Sequence, residues 1–364
     1  MTKSTKSIKS KLIFKGSSGC IFRPHIPCQK NKTKKKSKKK VTKVIFDKRN
    51  HEYDFTKIIK KIKGHQKWTV LWEDVCESQP YEKLLEHTDI NKCISNEEDY
   101  SRVYMNHRFL LYQGSYGGGT LDNYCKENIS RTTLTNQTKF NKYFIKIFRL
   151  LRNVFYGLSQ LYKHNICHHD INCRNILIKG KKSFIIDYDI SLKINSSIET
   201  NNFLRKRMTA EYYNLRLYES YPFEYLYYIL NEPDEILREQ ENIGAEQDWI
   251  NYYELYEPIH RSIFDTDTDK LRLELLASKL RNEKQNLTEL MRELDMYSLG
   301  MTILILFLDA SVRLNIPIEV VVTRLRSKEL KPYMDLIRDM ISFNYQDRIT
   351  PDEAYERYLN LITY

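Results

Sequence analysis

A chain of 364 residues, 41% of them hydrophobic, can build one large two-lobed domain or two ordinary ones. Its net charge of +12 is concentrated, because eight lysines lie in "KNKTKKKSKKK" at 30–40, which argues against a nucleic-acid surface spread over the whole chain. That stretch reads either as a solvated connector or as a contact for an import receptor or a polyanion. Seven cysteines with no CxxC pair, in a chain this long, predict reduced thiols. The start "MTKSTKSIKSKLIF" lacks the apolar core of a signal peptide. The run "MTILILFL" at 301–308 is less than half a bilayer span, so a soluble protein with no membrane contact is expected.

In chain order, "LIFKG" and "CIFRP" flank "GSSG" and predict a hairpin, "KVTKVIF" a third strand, and "HRFLLYQG" at 107–114 another. "HEYDFTKIIKKI" reads as a helix with Glu52 on the face shared by Phe55, Ile59 and Ile62. Beyond residue 114 the period changes. Phe144, Phe148, Leu151, Phe155, Leu158 and Tyr162 form the apolar stripe of one long amphipathic helix. "ELDMYSLGMTILILFL" is apolar nearly all round and predicts a buried helix. "TPDEAYERYLNLI" opens with Thr350 as cap, Pro351 at the first helical position and Glu353 completing a capping box. A strand-rich part thus precedes a helical one.

The chemistry concentrates in "NICHHDINCRNILIKGKKSFIIDYDIS", residues 165–191. Asp170 on a loop, Asn175 at a strand start and Asp187 at the end of the next strand converge if the two strands pair through the "KGKK" turn. Asn175 and Asp187 are hard oxygen donors of the kind Mg²⁺ prefers, and Asp170, outside that pair, could accept a hydroxyl proton. In "KGSSGCIF", Gly16 and Gly19 would let backbone N–H groups approach phosphate oxygens. Val41 and Lys43 share one strand face, so an apolar side chain could cover a base while an ammonium reaches phosphates. Glu52 could hold Lys43, with Asp54 as a rival.

With these pieces in order the chain resembles the protein kinase superfamily over roughly residues 10–360. "HHDINCRN" is similar to the catalytic loop H-R-D-L-x-x-x-N, and "DYD" to D-F-G. The resemblance implies an α+β bilobal fold, with a small antiparallel-sheet lobe over 10–116 carrying the basic loop 30–40. A larger helical lobe over 117–364 would hold an insertion at about 230–290. It implies Asp170 as catalytic base, Lys43 as phosphate-binding lysine, and Asn175 and Asp187 as metal ligands. The nucleotide would meet Ile13, Phe14, Gly16, Ser17, Ser18, Gly19, Ile21, Val41, Lys43 and Glu52, a hinge near Gly114 to Tyr116, and Leu177 under the adenine. "YPFE" resembles A-P-E, giving Pro222 and Glu224 with Arg348 as partner, and "DMYSLG" the helix whose Asp295 braces the catalytic loop.

The implied activity is ATP- and Mg²⁺-dependent transfer of a γ-phosphoryl group to Ser or Thr hydroxyls of protein substrates. The alternatives are a small-molecule phosphotransferase and a pseudokinase scaffold. Three positions depart from the pattern. Asn172 stands where serine/threonine kinases usually carry a lysine that touches the transferred phosphate, His169 replaces an arginine, and Asp189 replaces the glycine of D-F-G. The degenerate glycine loop and "YPFE" look most like the kinases of large cytoplasmic DNA viruses. That likeness implies a cytoplasmic or virion setting, with nuclear entry through the basic loop.

Overall fold

The computed structural model describes residues 9–16, 19–29, 37–45, 51–94, 108–194, 261, 263–264, 284–342 and 345–363. It divides into two compact units, Met1–Gly118 and Gly119–Tyr364. The first is built on five antiparallel strands: β1 (Lys11–Lys15), β2 (Gly19–Arg23), β3 (Lys40–Ile45), β4 (Trp72–Glu77) and β5 (Leu110–Ser115), ordered β1-β2-β3-β5-β4. The strand β3 lies in the middle, and its β-branched Val41, Thr42, Val44 and Ile45 are all buried. Helix α1 (His51–Ile59) follows β3, and α2 (Tyr81–His87) and α3 (Ile90–Ile94) separate β4 from β5.

Between β2 and β3 the backbones come so close that a Cβ at Gly19 would sit 2.1 Å from the Val44 carbonyl oxygen. Only glycine fits there. The strand β4 escapes a periodicity reading because "WEDVCE" does not alternate: Glu73 and Asp74 are both exposed, and Val75 and Cys76 both half-buried.

The cysteines correct the sequence expectation. Cys20 is bonded to Cys93 and Cys28 to Cys76, while Cys125, Cys167 and Cys173 are free. Both bonds lie within the first unit, so the length of the whole chain does not bear on them. Cys20 and Cys93 belong to the core of the sheet unit, beside Phe22, Ile26, Val44, Leu84, Ile90, Phe109 and Leu111. Partners 73 and 48 residues apart leave no local spacing signal.

The second unit is mostly helical. After the short β6 (Gly119–Thr120) come α4 (Leu121–Asn128), α5 (Arg131–Thr135), α6 (Gln137–Leu150) and α7 (Arg152–Lys163). The predicted single helix is therefore two, broken at Leu151 with φ −78° and ψ 4°. Both bury the same apolar stripe, so the pattern runs through the break without a proline or glycine to mark it. Tyr358 reaches the break and donates to the carbonyl of Phe148 at 2.9 Å and that of Arg149 at 3.2 Å. The Phe148 carbonyl also accepts from Leu151 N at 3.1 Å, so Tyr358 adds a second donor to the end of α6.

The strands β7 (Ile166–Cys167), β8 (Ile176–Lys179), β9 (Lys182–Ile185) and β10 (Leu192–Lys193) form two small sheets, β6-β8-β9 and β10-β7. The remaining helices are α8 (Lys284–Arg313), α9 (Ile318–Leu325), α10 (Lys331–Met340) and α11 (Pro351–Thr363). From Met291 to Arg313, α8 is long and apolar enough to span a bilayer, more than its run at 301–308 suggested, yet 89% of the window is buried inside the protein. It is a core helix. Its Phe307 packs against Phe140 and Phe144 at centroid distances of 5.2 and 5.3 Å, and its Gly300 lets Ile341 approach to within 2.4 Å of where a Cβ would stand. The α11 cap forms as expected, with Thr350 Oγ1 accepting from Glu353 N at 3.4 Å and Glu353 Oε2 accepting from Thr350 N at 3.1 Å.

Candidate active site

The loop after β7 is anchored from α8. Asp295 is buried, and its carboxylate accepts the backbone N–H groups of His168 at 2.6 Å and His169 at 2.9 Å, with Cys167 Sγ at 3.6 Å. Desolvation pushes its pKa up to about 6, against the pull of those hydrogen bonds. His169 occupies the left-handed region at φ 69°, a strain of about 1 kcal/mol or more for a non-glycine residue, and the Asp295 bond holds it there. His168 is fully buried, which pulls its pKa down to about 4. Its Nδ1 accepts from Asp170 N at 3.3 Å and its Nε2 lies 2.9 Å from the Ile186 carbonyl, so the ring is neutral with the proton on Nε2. Ser191 Oγ donates to the His168 carbonyl at 2.9 Å.

Asp170 emerges from this anchored loop between two carboxamides. Asn175 Nδ2 donates to its Oδ2 at 2.6 Å and to its carbonyl at 2.9 Å. Asn172 Nδ2 donates to Asp170 Oδ1 at 2.8 Å, while Asn172 Oδ1 accepts from Arg174 N at 2.9 Å and Asn175 N at 3.3 Å. Committing Nδ2 to Asp170 leaves the side-chain Oδ1 of Asn175 as a hard oxygen donor. Strands β8 and β9 pair as a hairpin, Ile176 with Ile185 and Leu177 with Phe184, across a turn where Gly180 takes φ 63°. The Asn175 carbonyl accepts from Ile186 N at 3.0 Å, one residue before Asp187, which also sits at positive φ, 69°. Leu177 is half-buried on β8.

Asn175 and Asp187 give two oxygen side chains at one hairpin, a set that would suit Mg²⁺, with phosphate oxygens and water to complete its coordination. Among the described residues no group of three or more His, Cys, Asp or Glu side chains is arranged to hold a metal by itself.

In the sheet unit, Lys43 Nζ lies 2.7 Å from Glu52 Oε2. The other Glu52 oxygen accepts from Trp72 Nε1 at 2.5 Å, a partner with no signal in the sequence. Asp54 pairs instead with Lys57 at the surface, at 2.7 Å. Val41 is buried on β3 two residues before Lys43, and Ile21 faces Lys43 across the ladder. Ile13 and Phe14 are exposed on β1; Gly16 N donates to the Gly19 carbonyl at 2.9 Å, closing the hairpin turn, whose Ser17 and Ser18 lie outside the described residues. Gly114 packs against Trp72. Tyr116 N donates to the Lys39 carbonyl at 2.8 Å, and the Arg23 guanidinium stacks 3.7 Å from the Tyr116 ring centroid.

Pro222, Glu224, residues 30–36 of the basic loop and most of the insertion lie outside the described residues; residues 284–290 belong to α8. Arg348 is buried and donates to the Ser342 carbonyl through Nε at 3.2 Å and through its terminal guanidinium nitrogen at 2.7 Å.

An antiparallel-sheet unit with a buried Lys–Glu pair, followed by a helical unit with a braced Asp-Asn-Asp loop, defines the kinase-like α+β class. A family model described as "Fungal protein kinase" matches residues 18–221, more than half of the chain. The chain belongs to the protein kinase superfamily through this family. It is 31% identical over 115 residues to "Probable serine/threonine-protein kinase irlC" of Dictyostelium discoideum, covering 30% of this chain and 8% of that protein. It is 27% identical over 165 residues to "Calcium-dependent protein kinase 4" of Plasmodium falciparum, covering 45% of this chain and 27% of the relative. The similarity thus spans about a quarter or less of these relatives' lengths.

Proposed function

We propose that the protein transfers the γ-phosphoryl group of ATP to Ser or Thr hydroxyls of protein substrates, with Mg²⁺ held by Asn175 and Asp187. The observation that carries this reading is the Asp170 carboxylate, oriented by two amide donors on a loop that buried Asp295 braces. In the transfer the acceptor oxygen forms a bond to Pγ as the bond from Pγ to the bridging oxygen of ADP breaks, and the hydroxyl proton goes to Asp170. Lys43, fixed by Glu52, supplies a positive charge for the phosphates. Bound Mg²⁺ would neutralise charge on the phosphate oxygens. The serine/threonine name of the Dictyostelium relative supports the choice of hydroxyl.

The test is purified protein with labelled ATP, Mg²⁺ and a panel of acidic and basic proteins. Asp170→Asn should keep nucleotide affinity while lowering transfer roughly 10²-fold or more, and Asp187→Asn should weaken both. Unchanged autophosphorylation in Asp170→Asn removes the base assignment; turnover on aminoalcohols or sugars with none on proteins replaces the substrate class.

A further inference from the structure

Asn172 has two separate attachments. Its Oδ1 accepts two backbone N–H groups of the following turn, which is what an Asn at such a turn does anywhere. That half explains nothing beyond the shape of the loop. Its Nδ2, however, donates to Asp170 Oδ1 at 2.8 Å, on the oxygen opposite the one taken by Asn175. One donor on one oxygen leaves a carboxylate free to rotate about its last torsion. Donors on both oxygens fix its plane. The Nδ2 of Asn172 can do this because its own Oδ1 is pinned to the turn, so the amide is a rigid strut between backbone and carboxylate.

We propose that Asn172 is a positioning residue for Asp170: its neutral amide sets the plane of the carboxylate before the acceptor hydroxyl arrives. The inference rests on the reading of Asp170 as the proton acceptor. It gives Asn172 a task different from touching the transferred phosphate, the role that the lysine of related enzymes would suggest. Misorientation of a catalytic group by a fraction of its normal geometry is enough to lower turnover by an order of magnitude or more.

Three variants of the full chain separate the two attachments. Asn172→Asp keeps the acceptor for the turn and replaces the donor to Asp170 by a carboxylate oxygen that repels it. Asn172→Lys supplies an N–H donor and removes the acceptor. Asn172→Ala removes both. Steady-state kcat and KM for ATP are measured with one acceptor protein, beside thermal unfolding of each variant.

The positioning role predicts kcat for Lys above that for Asp and Ala, with Asp about tenfold or more below wild type while its KM for ATP stays within about threefold. Melting temperatures should run the other way, Asp close to wild type and Lys and Ala lower. A purely structural Asn172 gives the same order in both readouts, with Asp near wild type in kcat as well as in melting, and that result overturns the proposal. If the Lys variant does not fold, Asp decides alone: wild-type melting with reduced kcat supports the role, and wild-type kcat overturns it. Asp170→Asn run in parallel tells the two failures apart. Loss of transfer there with wild-type rates in Asn172→Asp defeats only the positioning role, whereas full activity in Asp170→Asn defeats the underlying base assignment together with it.

Discussion

Lys43 and Glu52 meet at 2.7 Å inside the sheet unit, with only 7% and 5% of their side chains exposed. A pair that deep has lost its hydration, so the attraction between the charges must offset that loss, and Trp72 donates to the second Glu52 oxygen. Glu52→Gln should therefore destabilise the unit by about 3 kcal/mol, because it replaces the carboxylate facing a buried ammonium by a neutral amide. Lys43→Met with Glu52→Leu should regain most of that loss while remaining inactive. Urea unfolding of the three proteins checks it; a double variant no more stable than Glu52→Gln contradicts the desolvation argument.

The brace of the catalytic loop carries two opposed pH dependences. His168 is held neutral, its pKa pulled from 6.5 to about 4, so unfolding lets it take up a proton; its contribution is complete above pH 6.5 and is lost as pH falls toward 4. Asp295 is raised from 3.8 to about 6, so its contribution is complete below pH 3.8 and is lost as pH rises toward 6. Between pH 7 and pH 5 the stability advantage of wild type over His168→Gln should shrink by about 2 kcal/mol, and that over Asp295→Asn should grow by about 1 kcal/mol. Chemical denaturation at the two pH values reads both. Changes of the same sign would contradict the assignment.

Thiol counting distinguishes the bonded from the free cysteines. In denaturant without reductant, three of the seven should react, Cys125, Cys167 and Cys173, and all seven after reduction. Reduction should lower the melting temperature of the sheet unit, since loops of 73 and 48 residues, each taken singly, contribute about 4 kcal/mol in the chain-entropy account. Seven reactive thiols in the unreduced protein would refute the pairing.

Gly19→Ala should cost about 2–3 kcal/mol, because its Cβ would lie 2.1 Å from a carbonyl oxygen and strands β2 and β3 must part to admit it. Gly16→Ala should be milder, since its Cβ meets the edge of the exposed Phe14 side chain at 3.1 Å, which can turn aside. Thermal melts of both rank them; equal losses would show that the close approach at Gly19 relaxes freely.

Local chemistry explains what could be read from the sequence. The glycine hairpin, β3 and the α11 capping box announce themselves within a few residues, and Glu52 could be preferred to Asp54 because it shares the face of Phe55 and Ile59. Features made by distant chain segments were illegible. The bond from Trp72 to Glu52 spans 20 residues, that from His168 N to Asp295 spans 127, and the disulfides join helix to strand and loop to strand. The resemblance pointed to Asp295 where spacing could not. Asn172 could be seen as a departure from a pattern, but its task required the distance to Asp170.

The two disulfides are nested, with 28 and 76 inside 20 and 93, so Lys43, Glu52 and Trp72 all ride on one covalently closed circuit. The exposed Lys38 and Lys39 lie on the same circuit. A trypsin-like cut after either would divide the chain into a piece holding Cys20 and Cys28 and a piece holding Cys76 and Cys93. Neither piece could leave. A nicked molecule would migrate as one species until reductant is added, and its sheet would keep both halves of the Lys43–Glu52 pair on a single fragment.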